Sequence, residues 1–466
     1  MSIAPDSQTV DVLVIGAGIA GLQAALDLAD QGYQVAVVER GPSIGGHMIG
    51  LSKVFPTLDC ASCITTPKMA AVDHHPFIHS YTYTEVVSVD RDDGGFIAHL
   101  RQKPRYINEK DCIGCRQCEY ACPVEVRDEF DGSMGARRAA YIPFTNAIPQ
   151  KAVIDPDDCI LCGRCVTACP TDAVVLDQQP RDWELRADAV VAATGWELTP
   201  KEAKVQYGAG CIQNVLSPTQ MERLLAPHGP YGRVLRPSDG KVPESVAYVQ
   251  CAGSRDQTLN VPYCSRVCCM YAIKQAMLLS GALPVADLTI YYMDIRAFGK
   301  GYEEFYRSAQ AMGIEFVKGK VARLSENDDQ SVTVRVERID QFGQVEERRH
   351  DLVVLSLGMR PGDDLSRLLT LPLGTDGFVD VPRPKDAPCR TAVAGVFVAG
   401  TAGGPKDIVD TIIEAGAAAS EVSMYLRELR GGVAPGTAAP GIAAAEEAAV
   451  AREADAAADE REEVSV

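Results

Sequence analysis

The segment CIGCRQCEYACP at residues 112–123 is repeated as CILCGRCVTACP at residues 159–170. Both copies have the spacing C-x2-C-x2-C-x3-C-P, in which three thiolates bind one iron–sulfur cubane and the fourth cysteine, before the proline, binds the other. The repeat therefore predicts a ferredoxin-like unit that holds two 4Fe-4S clusters with crossed ligation. The predicted ligand sets are Cys112, Cys115, Cys118 and Cys169 for one cluster, and Cys159, Cys162, Cys165 and Cys122 for the other.

Other uses of clustered cysteines fit this repeat less well. Zinc knuckles would normally bring histidines or two isolated CxxC pairs, and a disulfide framework would need an oxidising compartment. The chain has 16 cysteines but no apolar segment typical of a signal peptide, and no apolar run approaches the roughly 18 residues that span a bilayer. We therefore expect a cytoplasmic protein without a transmembrane segment, in which the cysteines bind metal.

Length and charge narrow the functional classes. A chain of 466 residues is long enough for two or three domains with a sizeable core. Its net charge of −18 argues against a nucleic-acid partner, because phosphate contacts need clustered lysine and arginine. From residue 431 onward the composition shifts to Ala, Gly, Pro and Glu without aromatic residues, which predicts a disordered tail over 431–466.

The sequence before the repeat has the pattern strand, glycine turn, helix. An apolar run at residues 10–15 is followed by GAGIAG at 16–21, and a second apolar run ends in Glu39, about 20 residues beyond the glycines. Glycines at this turn let a pyrophosphate approach the helix N-terminus, and the carboxylate can bind a ribose hydroxyl. We expect FAD here, against NAD or a purely structural turn. The predicted contacts are Gly16, Gly18, Ile19, Ala20, Gly21, Glu39, Arg40, Gly45 and Gly46.

Sequence typical of the same flavin domain returns after the repeat, so the ferredoxin-like unit is predicted to be an insertion. A strand at residues 187–192 leads into Ala193-Thr194-Gly195, and a last strand at 395–400 leads into TAGGPKDI at 401–408. Flavoproteins of this class commonly place a Gly-Asp pair at the ribityl chain, whereas Gly400 is followed by Thr401. The contacts predicted outside the glycine turn are Val87, Thr194, Gly195, Gly400, Thr401, Asp407 and Ile408.

A second Rossmann-like domain is predicted to begin with the strand at residues 244–250. Cys251 follows this strand where a nucleotide-binding unit needs its first glycine, and Cys264, Cys268 and Cys269 follow within nineteen residues. Four soft ligands are enough for one cubane, although the spacing is not that of a generic ferredoxin. We therefore expect a third 4Fe-4S cluster in place of a pyridine nucleotide. The alternative is four buried or redox-active thiols.

A further pair, Cys60 and Cys63, follows the double glycine at a distance. Disulfide-active flavoenzymes usually place their cysteine pair directly after that double glycine, where this chain has His47 and Met48. Three uses stay open: a pair of buried thiols, a flavin-coupled dithiol, or ligands of a cluster shared with a partner. No acid–base residue is predicted, because the chemistry is expected at FAD.

Several motifs together resemble the A-type subunits of heterodisulfide reductases: the doubled cluster motif, DCASC at 59–63, TPKM at 66–69, CAGSR at 251–255, YCSRVCC at 263–269 and GPKDI at 404–408. The resemblance covers roughly residues 8 to 430. It implies an α/β flavoprotein with two dinucleotide-binding domains, like thioredoxin reductase, and an inserted bacterial-type two-cluster ferredoxin domain. It also implies an oxidoreductase in which FAD exchanges electrons with 4Fe-4S clusters.

The resemblance further implies a dimer or larger complex with other heterodisulfide-reductase-like subunits and a donor protein or ferredoxin. Flavin-based bifurcation is a less direct expectation, because the family's extra N-terminal domain and a further C-terminal ferredoxin-like domain have no counterpart here. Alternatives are the A-type flavin subunit of a quinone-interacting oxidoreductase, a stand-alone NAD(P)H-dependent reductase, and a scaffold with an inert flavin. The predicted domains are FAD-binding parts at 1–106, 179–243 and 361–430, the ferredoxin-like domain at 107–178, the second Rossmann-like domain at 244–360 and the tail at 431–466.

Overall fold

The protein is described here from a computed structural model, which covers residues 8–92, 94–208, 210–362 and 365–431. The tail predicted over 431–466 lies outside these residues except for Gly431. The elements up to residue 192 are β1 (Gln8–Ile15), α1 (Ile19–Ala29), β2 (Val35–Val38), α2 (Ala61–His74), β3 (Ile78–Tyr81), β4 (Thr84–Asp92), β5 (Gly95–Gln102), α3 (Gln117–Ala121), β6 (Glu125–Asp128), β7 (Gly135–Arg138), β8 (Ala140–Tyr141), β9 (Val153–Ile154), α4 (Arg164–Ala168) and β10 (Arg181–Ala192).

The second half of the described chain continues the alternation of strands and helices. Its elements are β11 (Trp196–Leu198), β12 (Val215–Leu216), α5 (Pro218–Leu225), β13 (Ser245–Ala252), α6 (Cys268–Ala282), β14 (Asp287–Tyr292), α7 (Tyr302–Ala311), β15 (Glu315–Glu326), β16 (Val332–Arg338), β17 (Gln344–His350), β18 (Leu352–Leu357), β19 (Met359–Pro361), α8 (Leu365–Leu369), β20 (Val396–Val398) and α9 (Ile408–Leu429). None of the helices in the described ranges is long and apolar enough to cross a bilayer.

The first sheet has the order β3-β2-β1-β10-β5-β4, and β20 also pairs with β10. Strand β1 is parallel to β2 and β10, and its residues Val12, Leu13 and Val14 are fully buried. A strand that is covered on both faces has a continuous run of apolar residues, and residues 12–15 of β1 form such a run. Helices α1 and α9 cover one face through residues such as Leu22 and Val422.

The second sheet has the order β12-β18-β13-β14-β15-β16-β17. Its first five strands are parallel, and β15 to β17 form an antiparallel extension. Tyr248 and Ile290 pack against helix α6 on one face, whereas Val249 and Val334 pack together on the other. Two sheets with parallel central strands and antiparallel strands at one side, each with a helix that follows a central strand, give the two-domain α/β architecture that the sequence predicts.

The cysteine repeat lies in a unit inserted between two paired strands of the first sheet. Gln102, at the end of β5, pairs with Arg181, at the start of β10, so the chain leaves and re-enters the sheet at one place. Inside the unit, α3 and α4 lie within the two cysteine motifs and contact each other. A bridge between Ile107 and Val174 joins the two ends of the unit. The ferredoxin-like unit is therefore attached where β5 ends and β10 begins.

Candidate functional site

A cavity of about 930 Å³ lies between the two sheets, at the carboxyl ends of their parallel strands. Such crevices are where open α/β sheets bind ligands, and this volume is typical of a cofactor site. The first sheet contributes the turn after β1, the end of β2 and the segment after β10, and the second contributes Leu357 and helix α6. The predicted FAD contacts that line the cavity are Gly16, Gly18, Ile19, Ala20, Glu39, Arg40, Gly46, Val87, Thr194, Gly195, Thr401, Asp407 and Ile408.

Three of the glycines predicted to contact FAD, Gly21, Gly45 and Gly400, do not line the cavity. A Cβ at Gly21 would lie 1.9 Å from the carbonyl oxygen of Gly16, and one at Gly400, where φ is +69°, would lie 2.6 Å from the Cβ of Ala20. A Cβ at Gly45 would lie 3.0 Å from the sulfur of Met69. These residues allow the close approach of backbone segments that form the cavity wall.

Gly18 differs from the other glycines of the turn. Gly16 has a φ of +99°, and a Cβ there would lie 2.5 Å from the carbonyl oxygen of Ala193, so its role includes packing. A Cβ at Gly18 would meet only the Cα of Gly46, at 3.9 Å, and Gly18 begins helix α1 with ordinary backbone angles. The protein itself leaves this position free, so the space beside Gly18 is available to a pyrophosphate.

The carboxylate of Glu39 is fixed at the edge of the cavity by backbone donors. Its Oε2 accepts a hydrogen bond of 2.9 Å from the amide of Ala17, and its Oε1 accepts one of 2.8 Å from the amide of Gly41. The first of these amides belongs to the glycine turn, so the carboxylate joins the end of β2 to the start of α1. This is the geometry expected of an acceptor for a ribose hydroxyl.

A buried ion pair on the cavity wall was missed by the sequence analysis. Lys274 of α6 pairs with Glu222 of α5, both side chains are almost fully buried, and both line the cavity. The carboxylate also accepts hydrogen bonds from the amide and the hydroxyl of Ser52, at 3.0 and 2.8 Å. Burial opposes its charge, but Lys274 holds the pKa of Glu222 below its usual range. The sequence signal that could have indicated this pair is the lysine within the largely apolar run at residues 270–279.

One predicted cluster set of the repeat is gathered around a single small pocket. Cys122 lies there with Cys159, Cys162 and Cys165, which places the fourth cysteine of the first motif beside the second motif. The other set is joined through the ends of the unit: the amide of Ala173 donates to the sulfur of Cys169. The amide of Asn108, close before Cys112, in turn donates to the carbonyl of Ala173. Crossed ligation of the two sets stays a prediction.

The cysteines of the repeat lie close enough to disfavour one another's thiolate form. Burial and the neighbouring Cys112, Cys115 and Cys165 raise the pKa of Cys118 to about 12. Thiolates so close together need the positive charge of iron to be stable. Among the described residues no three His, Cys, Asp or Glu side chains lie close enough to hold one metal ion.

Cys251, Cys264, Cys268 and Cys269 come together at the carboxyl end of β13 and the start of α6. Burial raises the pKa of Cys251, and Cys264 adds to that shift. Burial, together with Cys251 and Cys264, also raises the pKa of Cys269 to about 12. The four sulfurs are therefore electrostatic neighbours, although 18 residues separate the first from the last. Cys251 has a φ of +57° where a nucleotide-binding turn would have glycine.

Cys60 and Cys63 form a disulfide at the start of helix α2. Cys60 caps the helix by accepting a hydrogen bond from the amide of Cys63, and Cys63 is exposed. The hypothesis of two buried thiols is therefore wrong, because the N-terminus of α2 reaches the surface. Neither cysteine lines the large cavity, which is reached by the nearby Lys53, Val54 and Phe55.

Comparisons with protein families agree with the two kinds of site. A family profile described as an FAD binding domain matches residues 11–49. Two profiles described as 4Fe-4S dicluster domains match residues 111–173 and 151–213, which overlap at the second cysteine motif. The chain therefore carries an FAD-binding region and iron–sulfur cluster-binding motifs.

Solved structures with the same fold include two thioredoxin reductases. The T. acidophilum enzyme has a TM-score of 0.50 and 17% identity, over 91% of this chain and 99% of that one. The Lactococcus lactis enzyme has a TM-score of 0.51 and 14% identity, over 90% and 99%. At these identities the likeness shows the fold alone, and it confirms the predicted thioredoxin-reductase-like α/β class.

Curated relatives match almost the whole described chain. The second A-type iron-sulfur subunit of the CoB--CoM heterodisulfide reductase of Methanopyrus kandleri is 47% identical over 420 residues, 89% of this chain and 64% of the relative. The corresponding subunit of Methanocaldococcus jannaschii is 46% identical over 422 residues, with the same coverage. The A-type subunit of the ferredoxin:CoB-CoM heterodisulfide reductase of Methanosarcina mazei is 43% identical over 421 residues, 89% of this chain and 53% of the relative. Over 89% of its own length, this chain, which spans about half to two thirds of the length of these relatives, is therefore similar to the A-type subunits of heterodisulfide reductases.

Proposed function

We propose that this chain is an oxidoreductase subunit that passes electrons between FAD and 4Fe-4S clusters within a heterodisulfide-reductase-like complex. The observation that carries the proposal is the 930 Å³ cavity, which has the glycine turn on one side and the helix that begins at Cys268 on the other. Bound FAD would convert between two-electron and one-electron transfer, and the clusters would carry single electrons. The ferredoxin-like unit, attached beside β10, supplies the route to partner proteins.

The residues that would hold FAD divide by position. Gly18 leaves room for the pyrophosphate at the N-terminus of α1, and Glu39 would accept a hydrogen bond from a ribose hydroxyl. With the adenosine end fixed there, the isoalloxazine end would extend toward the second sheet, where Lys274 and Leu357 line the same cavity. The fit is supported by the room beside Gly18, which no described side chain fills.

The pair Lys274–Glu222 would lie against the isoalloxazine ring. A buried ammonium can stabilise negative charge that develops on the reduced ring, because Coulomb interactions are stronger where water is excluded. Burial lowers the pKa of Lys274, and the carboxylate of Glu222 opposes that shift. Ser52 connects the pair to the first domain, so the charge is held at the junction between the domains.

We further propose a third 4Fe-4S cluster at Cys251, Cys264, Cys268 and Cys269. The mutual effect of these thiols on their pKa values supports it, and so does the position of Cys251 in the irregular carboxyl end of β13. Cys268 lies close to the flavin cavity, because its sulfur is 3.5 Å from the carbonyl oxygen of Leu357 and Leu357 lines that cavity. The second domain would then connect the flavin to a partner and would not accept hydride from a nicotinamide.

The partners follow from the names of the relatives, which describe subunits of heterodisulfide reductases. We infer that this chain works with other subunits and with a donor protein or ferredoxin, as a dimer or larger complex. Electron bifurcation at the flavin, a cytoplasmic location and the domain limits stated above stay predictions. Cys60 and Cys63 stay candidates for redox chemistry or for a cluster shared with a partner.

The test is a titration of the anaerobically purified protein. A low-potential donor should reduce both the flavin and the clusters, as seen from the loss of flavin absorbance and of cluster absorbance. NADH and NADPH should reduce the flavin slowly, because Cys251 replaces the glycine that a nicotinamide site needs. An oxidised flavin beside bleached clusters would favour a scaffold, and rapid reduction by either nucleotide would favour a stand-alone reductase.

A further inference from the structure

A second cavity, of about 430 Å³, lies where the inserted cluster unit joins the first sheet. One wall is the linker that leaves β5, residues 102–110, and the other is the linker that returns to β10, residues 175–181. No residue of this cavity lines the flavin cavity or belongs to a predicted cluster set. The two walls are the linkers that carry the chain from the sheet into the inserted unit and back.

Arg105 is the central residue of this linker cavity and is only 2% exposed. Its Nη2 donates hydrogen bonds of 2.7 Å to the carbonyl oxygen of Pro42 and to the hydroxyl of Thr82, which fixes the guanidinium to the first sheet. Its Nε faces the carboxylate of Glu109. The Nε is engaged in that ion pair, whereas within the described ranges Nη1 makes no hydrogen bond, and the Oε1 of Gln178 on the opposite wall also lacks one.

A guanidinium that is buried with donors unused is costly, because each such N–H has lost its water. Arginine presents its donors as a fork that matches the oxygens of a phosphate. An anion with several oxygens in the cavity would therefore use the donors that the protein leaves unused. Arg105 is positioned by Pro42 and Thr82 before such a ligand arrives, so little reorganisation is needed.

The charged side chains around the cavity also favour an anion. Four cationic side chains line it, Lys103, Arg105, Lys110 and Arg181, against the single carboxylate of Glu109. Lys103 is neutralised by Glu85, which leaves an excess of two positive charges. The chain as a whole carries −18. A positive cavity on an acidic protein concentrates anions locally.

We propose that the linker cavity binds a phosphate-bearing small molecule, with its phosphoryl oxygens toward Arg105, Lys110 and Arg181. The amide side chains of the walls, such as Asn108 and Gln178, suit the polar body of a metabolite, and the volume suits a small ligand. A ligand that contacts both linkers would hold the cluster unit in one orientation relative to the sheet.

The test uses the full chain loaded with FAD and clusters, so that the flavin cavity is filled. Inorganic phosphate and pyrophosphate are titrated calorimetrically at constant ionic strength, with acetate as the comparison anion. Arg181→Gln and Lys110→Gln remove exposed charges on opposite walls, and each should weaken phosphate binding about tenfold or more. Arg186→Gln is the matched control, because Arg186 is also an arginine of β10 but pairs with Asp92 away from the cavity.

Hydrogen exchange gives an independent measurement of the location. Phosphate should slow exchange in residues 103–110 and 175–181 of the unmodified protein. Equal phosphate affinity in all three variants, tighter binding of acetate, or protection only elsewhere would overturn the proposal. Flavin and cluster absorbance should be the same in the three variants. If the protein held no flavin, the proposed electron-transfer function would fail, and protection of the two linkers would still test this site.

Discussion

Individual residues of the glycine turn have separable roles. Gly16 and Gly21 lie against backbone carbonyls, so a methyl group there competes with the fold itself. Gly18 lies against open space, so a methyl group there competes with the ligand. A sequence motif gives all three the same weight, and the distances separate them.

We predict that Gly18→Val lowers FAD content at least tenfold and leaves the melting temperature of the flavin-free protein unchanged. Gly21→Ala is the matched control, and it should lower the melting temperature because its Cβ would lie 1.9 Å from the carbonyl oxygen of Gly16. Flavin per chain and thermal unfolding are measured on both variants. Full flavin content in a well-folded Gly18→Val protein would contradict the assignment.

Glu222 is predicted to matter more for stability than any exposed ion pair. Glu222→Gln would leave Lys274 buried and unpaired, which should lower the free energy of unfolding by about 3–5 kcal/mol. The double variant Glu222→Gln, Lys274→Met removes both charges and should recover much of that loss. Urea unfolding of the three proteins measures the difference. If the double variant were as unstable as Glu222→Gln, the ion pair would not explain the loss.

His350 is predicted to make the second domain sensitive to acid. Burial lowers the pKa of His350 to about 4, and its ring nitrogens bond to Ser245 and Tyr291. The unfolded chain binds a proton near pH 6.5, so this stability is complete above that pH and is lost as pH falls toward 4. Between pH 7.5 and 5.5 the loss should be about 1.4 kcal/mol. Urea unfolding at both values, with His350→Gln as the variant that lacks this slope, checks it.

At the scale of elements, the two short helices α3 and α4 begin and end in the same way. Each begins at a residue with left-handed backbone angles, Arg116 and Gly163, and each ends at a cysteine followed by proline, Cys122 and Cys169. The extended angles of these last cysteines turn the chain out of the helix. Cys122 thereby lies beside the second motif, which is the placement that the prediction of crossed ligation requires.

We predict that Cys122→Ala damages the cluster of the second motif. Cys122 shares its pocket with Cys159, Cys162 and Cys165, so its loss leaves that cluster with three ligands. Electron paramagnetic resonance of the reduced protein should show one changed cluster signal. Cys115→Ala, in the same motif, should instead change the signal of the other cluster. The same signal changed in both variants would contradict crossed ligation.

At the scale of the whole molecule, the flavin cavity lies between two domains, and each domain carries a set of clustered cysteines. The inserted unit adds two cluster-binding motifs to the first domain, and in the second domain four cysteines lie near the end of β13 and the start of α6. The fold of a thioredoxin reductase is therefore retained.

The whole molecule should bind about twelve iron atoms after anaerobic reconstitution, three clusters of four. Cys268→Ala should bind about eight, because it removes one ligand of the proposed third cluster. Cys389→Ala is the matched control, since Cys389 is a buried cysteine outside the three sets. Iron and sulfide analysis gives the count. Twelve irons in the Cys268→Ala protein would return these thiols to an ordinary packing role.

The sequence by itself determined the features that depend on local spacing. The repeat predicted the two cluster sets, and the turn at 16–21 with Glu39 predicted the flavin region, because a short segment already fixes which ligands can approach each other. The two-domain α/β class followed from apolar runs that end at such turns. These parts of the fold and of the site needed no knowledge of distant contacts.

Only the tertiary structure decided the features made by residues far apart in the chain. Lys274 and Glu222 meet across 52 residues, and Arg105 lies beside Arg181 only because β5 pairs with β10. The exposure of Cys63 depends on where α2 packs. The burial and the partners of a charged group or a hydrogen-bond donor depend on residues from many distant segments. A local sequence pattern does not contain that information.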